Sequence, residues 1–121
     1  SKHRRAAIKT AHFLCKDKTF TQNLAADALS YTTDYARARK IEEISIHFSV
    51  AVSETVTITL DSINGANYDV VKDSVTLVAE TDYVFRPQGE FNLVAGDEVK
   101  IQVTNANTTG VAYGVVRASE M

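Results

Sequence analysis

Between Lys40 and Ile63 the chain reads KIEEISIHFSVAVSETVTITLDSI, and its apolar residues recur at every second position. Ile44, Ile46, Phe48, Val50 and Val52 share one parity, against Glu43, Ser45, His47, Ser49 and Ala51 on the other. Beyond Ser53-Glu54 the alternation resumes, with Val56, Ile58 and Leu60 opposite Thr55, Thr57, Thr59 and Asp61. A strand sends successive side chains to opposite faces, whereas an amphipathic helix needs apolar residues at i, i+3, i+4 and i+7. The stretch therefore predicts two half-buried strands, read as a hairpin whose inner face begins the core. It is scaffold and carries no chemistry.

The rest of the chain follows the same grammar. Residues 26–36 predict a strand with Leu29, Tyr31, Thr33 and Tyr35 on one side. Asn64-Gly65 is a strong short-range turn signal, because both residue types tolerate positive φ. Strands are expected at 68–73, 75–79 and 83–86, with Pro87 ending the last of these. A short one follows at 90–94. The segment 97–105 alternates strongly, with Val99, Ile101 and Val103 inward, and 111–118 is the last strand. The pattern predicts an all-β fold, an antiparallel β-sandwich or jelly roll of about eight short strands. One body is expected over residues 26–121, preceded by an N-terminal arm or strap over residues 1–25.

Charge separates the arm from the body. Residues 1–25 hold six lysines and arginines against Asp17, a net of +5, while residues 26–121 hold 7 basic and 14 acidic side chains, a net of −7. Docking on an acidic protein surface or on a neighbouring subunit is the reading preferred for this arm over a solvated tail. Its contact residues are then Lys2, Arg4, Arg5 and Lys9 by charge, and Phe13, Leu14 and Phe20 as apolar anchors. Nucleic acid is disfavoured as a partner, because the acidic body offers neither a basic stripe nor an aromatic RNA-binding pattern. Cys15 is the single cysteine, so an internal disulfide is excluded. No run of 18 apolar residues is present, so no membrane partner is expected. The basic opening SKHRRAAIK lacks a following apolar segment and does not read as a signal peptide.

Catalytic chemistry is not expected. His3, His12 and His47 stand apart in the sequence, and His47 falls on the outer face of a strand without a carboxylate at a defined spacing. Cys15 would need a base brought to it by the fold. Phosphate loops, zinc spacings and nucleophile elbows are missing from the sequence, so neither a cofactor nor a metal is expected. Asp61, Asn64, Asn67 and Asp69 cluster oxygen ligands, but their spacing is not that of an EF-hand, and such residues populate hairpin turns for backbone reasons. Asn107-Thr108-Thr109 is a glycosylation pattern, with no secretion signal in front of it to give it effect.

Two segments carry a resemblance. TITLDS-x-x-G-x-x-YDV at Thr57–Val70 and AGDEVKI-x-VTNAN at Ala95–Asn107, set within residues 26–121, resemble small β-sandwich virion proteins of tailed bacteriophages. The likeness is greatest to head decoration (cement) proteins. It implies a structural protein made in the host cytoplasm and located on the capsid surface, self-associating as a homotrimer and binding the major capsid protein or another virion protein. A minor tail or head-completion protein is the near alternative. A receptor- or carbohydrate-binding module is the distant one, disfavoured because tryptophan is absent and the loops at 61–67 and 105–110 hold no aromatic residue.

Overall fold

The structure, a computed structural model, describes residues 15–35, 37–107 and 110–120. Nine strands account for most of them: β1 (Cys15–Asn23), β2 (Leu29–Asp34), β3 (Arg39–Val52), β4 (Thr55–Asp61), β5 (Val70–Thr76), β6 (Glu80–Phe85), β7 (Asn92–Leu93), β8 (Glu98–Val103) and β9 (Val111–Glu120). They form two antiparallel sheets. The first runs β1-β9-β3-β6, with β7 also paired to β3, and the second runs β2-β8-β4-β5. Four pairings, β1 with β9, β2 with β8, β3 with β6 and β4 with β5, are nested one inside another along the chain. The expected β-sandwich is present.

Between the sheets lies one apolar core. Ile44, Ile46 and Phe48 of β3 face Val56 and Ile58 of β4 and Val99, Ile101 and Val103 of β8, all 1% exposed or less. Each such side chain, fully buried, favours folding by roughly 1.5–3 kcal/mol relative to exposure. The alternation read from the sequence thus assigns these faces correctly.

Strand partnership is where the structure departs from the sequence reading. β3 and β4 are not a hairpin: β3 pairs with β9 and β6, and β4 with β8 and β5. Ser53-Glu54 carries the chain from one sheet to the other, so the two apolar faces meet across the core instead of lying side by side. The reason is burial. A hairpin would leave both apolar faces on one surface needing a cover, whereas an arch lets each cover the other.

Val50, expected inward, is 44% exposed. The β3–β6 register shifts between His47 and Val52, so β3 leaves its partner there. A second irregularity, between Ile41 and Glu43 opposite β9, inserts a residue and restores Ile41 to the core. The segments expected at 68–73 and 75–79 are one continuous strand, β5. Asn64-Gly65 does fall between paired strands, with Gly65 at φ 115°, but inside a longer connection that includes a 3-10 turn at Ala66–Tyr68.

Residues 15–23, grouped with the arm on the sequence, form a full strand of the first sheet, paired residue for residue with β9 from Cys15–Ser119 to Asn23–Val111. Phe20 and Leu24 bury themselves in the common core. The ordered sandwich therefore includes β1, and only residues 1–14 of the arm precede it.

Candidate functional site

Of the residues expected to contact a partner, Lys2, Arg4, Arg5, Lys9, Phe13 and Leu14 lie outside the described residues. Phe20 lies within them and is a core residue, 7% exposed. Its ring stacks on Tyr31 with centroids 4.6 Å apart, and it fills the space left by Gly114 on β9, where an added Cβ would collide with it. Nearby, Lys18 Nζ lies 4.6 Å from the centre of the Tyr35 ring. Burial pushes the Tyr35 hydroxyl above its ordinary range. These contacts fasten β1 to β2 at one side of the sandwich.

The outer face of the first sheet is built from rows that cross its strands. Register places Thr21, Tyr113, His47 and Asp82 in one row, and Thr19, Val115, Ser45 and Val84 in the next. A third row joins Asp17, Arg117 and Glu43, whose carboxylate accepts a hydrogen bond from Arg86 Nε at 2.8 Å. Small side chains in the middle row leave a shallow depression of about 440 Å³. At its rim His47 Nδ1 lies 2.9 Å from Asp82 Oδ1. The hydrogen bond from His47, then one from Thr81, hold the Asp82 carboxyl below its ordinary value of 3.8. Both partners are more than 60% exposed, so water screens the pair. Sequence reasoning treated His47 as lacking a carboxylate; the fold supplies one from a strand 35 residues away. Chemically the pair can orient an imidazole, but a nucleophilic triad also needs an attacking group bonded to the second ring nitrogen. Tyr113 and Thr21 share the row without a described hydrogen bond to His47.

The opposite side of the sandwich, where β5 and β6 are the edge strands among the described residues, has a different surface. Ten large apolar residues are exposed among those described, and seven of them (Ile63, Tyr68, Val70, Val71, Val75, Val78 and Val84) fall between residues 63 and 84. None lies on β1 or β2. Every residue of β5 is exposed except Asp73, which is half-buried. Its carboxylate accepts a 2.6 Å hydrogen bond from Tyr83 Oη, tying the two sheets together at this edge. Burial first, and then the Asp73 carboxylate, drives the Tyr83 hydroxyl far above its ordinary range. Below this tie, an open trough of about 500 Å³ runs between β5 and residues 84–91, where Lys72 Nζ sits 4.8 Å from the centre of the Phe91 ring.

Val78, 73% exposed, occupies the tip of the β5–β6 turn. Ala79 beside it adopts φ +52°, a left-handed conformation that costs a non-glycine residue roughly 1–2 kcal/mol. The turn is held from below. Ala79 N donates to Ser53 Oγ at 3.1 Å, and Leu77 N donates to the Glu54 carbonyl at 2.8 Å.

Buried acidic groups elsewhere serve the scaffold. Glu54, 2% exposed, accepts from Thr104 Oγ1 at 2.7 Å and from the backbone of Ala106 and Asn107 at 3.1 and 2.7 Å. Asp97 accepts from Ile63 N and Val94 N. In the loop weighed for calcium, Asp69 accepts from Ser62 N at 2.8 Å, so its oxygen serves the turn. Among the described residues no three His, Cys, Asp or Glu side chains come together in a way that could hold a metal ion.

No protein-family model matches the chain, and no curated protein matches it in sequence. Similar solved structures include the Drosophila NLP core, studied for pentamer formation and histone binding, at 15% identity and a TM-score of 0.47 over 88% of this chain and 97% of that one. PirA is similar at 12% identity and a TM-score of 0.49, over 85% and 93% of the two chains. The SPBc2 prophage-derived protein YomS has 15% identity and a TM-score of 0.41, over 86% and 95%.

Proposed function

We propose that this chain is a structural virion protein of a tailed bacteriophage, a capsid decoration protein that binds the head exterior and stabilises it without catalysis or a bound cofactor. The observation that carries the reading is the surface asymmetry. A sandwich with its polar chemistry committed to its own loops presents one side rich in exposed apolar residues, and it continues at the other side into a strongly basic segment. The two segments at Thr57–Val70 and Ala95–Asn107 that resemble decoration proteins support the same role. The nested strand pairing is the winding of a jelly roll, a form suited to packing side by side on a repeated surface.

Attachment is assigned to residues 1–14. They carry four of the chain's thirteen lysines and arginines and no acidic residue. Exposed ion pairs contribute only about 0.2–1 kcal/mol each, so Phe13, Leu14 and multivalency between copies must supply the rest of the affinity. The test is binding of purified protein to intact phage heads, followed by sedimentation and quantitation of the bound chain. Removal of residues 1–14 is expected to leave a folded sandwich that no longer co-sediments with heads. Full occupancy by the shortened chain would overturn the assignment of the arm, and failure of the intact chain to bind any head would overturn the decoration reading itself.

A further inference from the structure

We infer that the β5–β6 side is a docking surface for a second copy of this chain, and that it receives the β1–β2 side of that copy in a head-to-tail arrangement. This deepens the structural role proposed above by locating its self-association. The exposed apolar residues are the first ground. Scattered apolar residues on a surface need no explanation, but a concentration on one side marks an interaction site. Here it coincides with two sheet edges whose outward N–H and C=O groups have no strand partner among the described residues.

Charge disfavours pairing of this side with itself. Residues 63–85 hold Lys72 against Asp69, Asp73, Glu80 and Asp82, a net of −3. A two-fold pairing of this side with itself would set −3 against −3 within a Debye length, roughly 8 Å at physiological salt. Residues 15–38, which carry β1 and β2 and end where β3 begins, hold three basic residues against three acidic ones, a net of zero. A head-to-tail contact therefore avoids the like-charge opposition that a two-fold contact would create.

Strand direction agrees. All neighbours within each sheet are antiparallel, and β1 is three steps from β6, as β2 is from β5. An odd number of antiparallel steps makes the two edges of each sheet run oppositely. Two copies set side by side in the same orientation thus present antiparallel edges to each other in both sheets at once, the sense that an added strand accepts most readily. Such a heterologous contact closes into a ring when its rotation permits.

The test uses the full chain in a Cys15→Ser background with a thiol-to-thiol cross-linker. Ser74→Cys marks the exposed outer face of β5 and Thr32→Cys that of β2. Head-to-tail docking predicts that neither single variant is cross-linked, whereas the double variant gives a covalent series at multiples of 13.3 kDa ending in one closed species. Dimers from Ser74→Cys alone would show a two-fold contact and overturn the inference. As a second arm, Val71→Glu with Val78→Glu alters only exposed side chains and is expected to lower the native mass to that of one chain while the circular dichroism spectrum is unchanged. A wild-type chain that sediments as a monomer at every accessible concentration would also overturn it. Head binding measured on the same samples separates the two readings, since a monomer that decorates heads removes this surface and leaves the decoration role standing.

Discussion

Phe48 and His47 are adjacent in the chain and differ in almost every energetic respect. Phe48 is 1% exposed between the sheets, so Phe48→Ala opens a cavity and is expected to cost about 3–5 kcal/mol in denaturant unfolding. His47→Ala, on the wet face, is expected to stay within about 0.5 kcal/mol. The same variant has a sharper reading at Asp82. The His47 hydrogen bond is the largest cause of that carboxyl's lowered pKa, so its removal should move the Asp82 titration upward, followed by carboxyl NMR. A lowered carboxylate pKa contributes stability above the unfolded-state value of 3.8 and loses it as pH falls through the folded-state value. With the two values closer together in the variant, Asp82 should contribute a smaller loss of stability on acidification, and the acid limb should be slightly shallower. Gly114→Ala tests the opposite kind of fit: its Cβ would meet the Phe20 ring, and the overpacking is expected to cost about 1–3 kcal/mol. The inward parity of Phe48 was legible in the sequence. The partnership of His47 with Asp82 was not, because no local pattern states which strands become neighbours.

Among the elements, β1 shows how an edge strand escapes notice. In CKDKTFTQN only Phe20 is large and apolar, since β1 needs a single deep anchor opposite Gly114, and Lys18 covers Tyr35 with its charged end. Alternation was absent because little of this strand faces the core. Deletion of residues 1–25, which also removes β1, is therefore expected to leave β9 with an unpaired edge and uncover Tyr31. That chain should lose cooperative unfolding, whereas deletion of 1–14 should keep it, as chemical denaturation followed by circular dichroism would show. The β3–β4 arch marks a second limit. Period two assigns a face to each strand, but the same faces suit a hairpin or an arch, and the choice depends on which arrangement buries both. The bulge at Ile41–Glu43 likewise shifted parity without leaving a glycine or proline to announce it.

For the molecule as a whole, charge segregation gives an ionic-strength prediction. Raising salt should slow the association of chain with head more than it speeds release, because screening acts on the approach of exposed charges more than on buried contacts. Stopped-flow binding at several salt concentrations separates the two rates. Fold class, the mostly acidic body and the basic lead segment could all be read from residue order. The apolar side at β5–β6 could not, because Val70, Val71 and Val75 look like core residues until the strand is seen to be an edge. The position of β9 carries a further consequence, for how the chain is made. β9, which follows the other eight strands in chain order, lies between β1 and β3, so the first sheet lacks its middle until residues 111–120 leave the ribosome. At roughly 5–20 residues per second, the nascent chain spends several seconds with the edge of β3 that receives β9 unpaired. An unpaired edge of this kind favours pairing with other chains, and a product ending before Val111 is expected to lack the strand that joins β1 to β3.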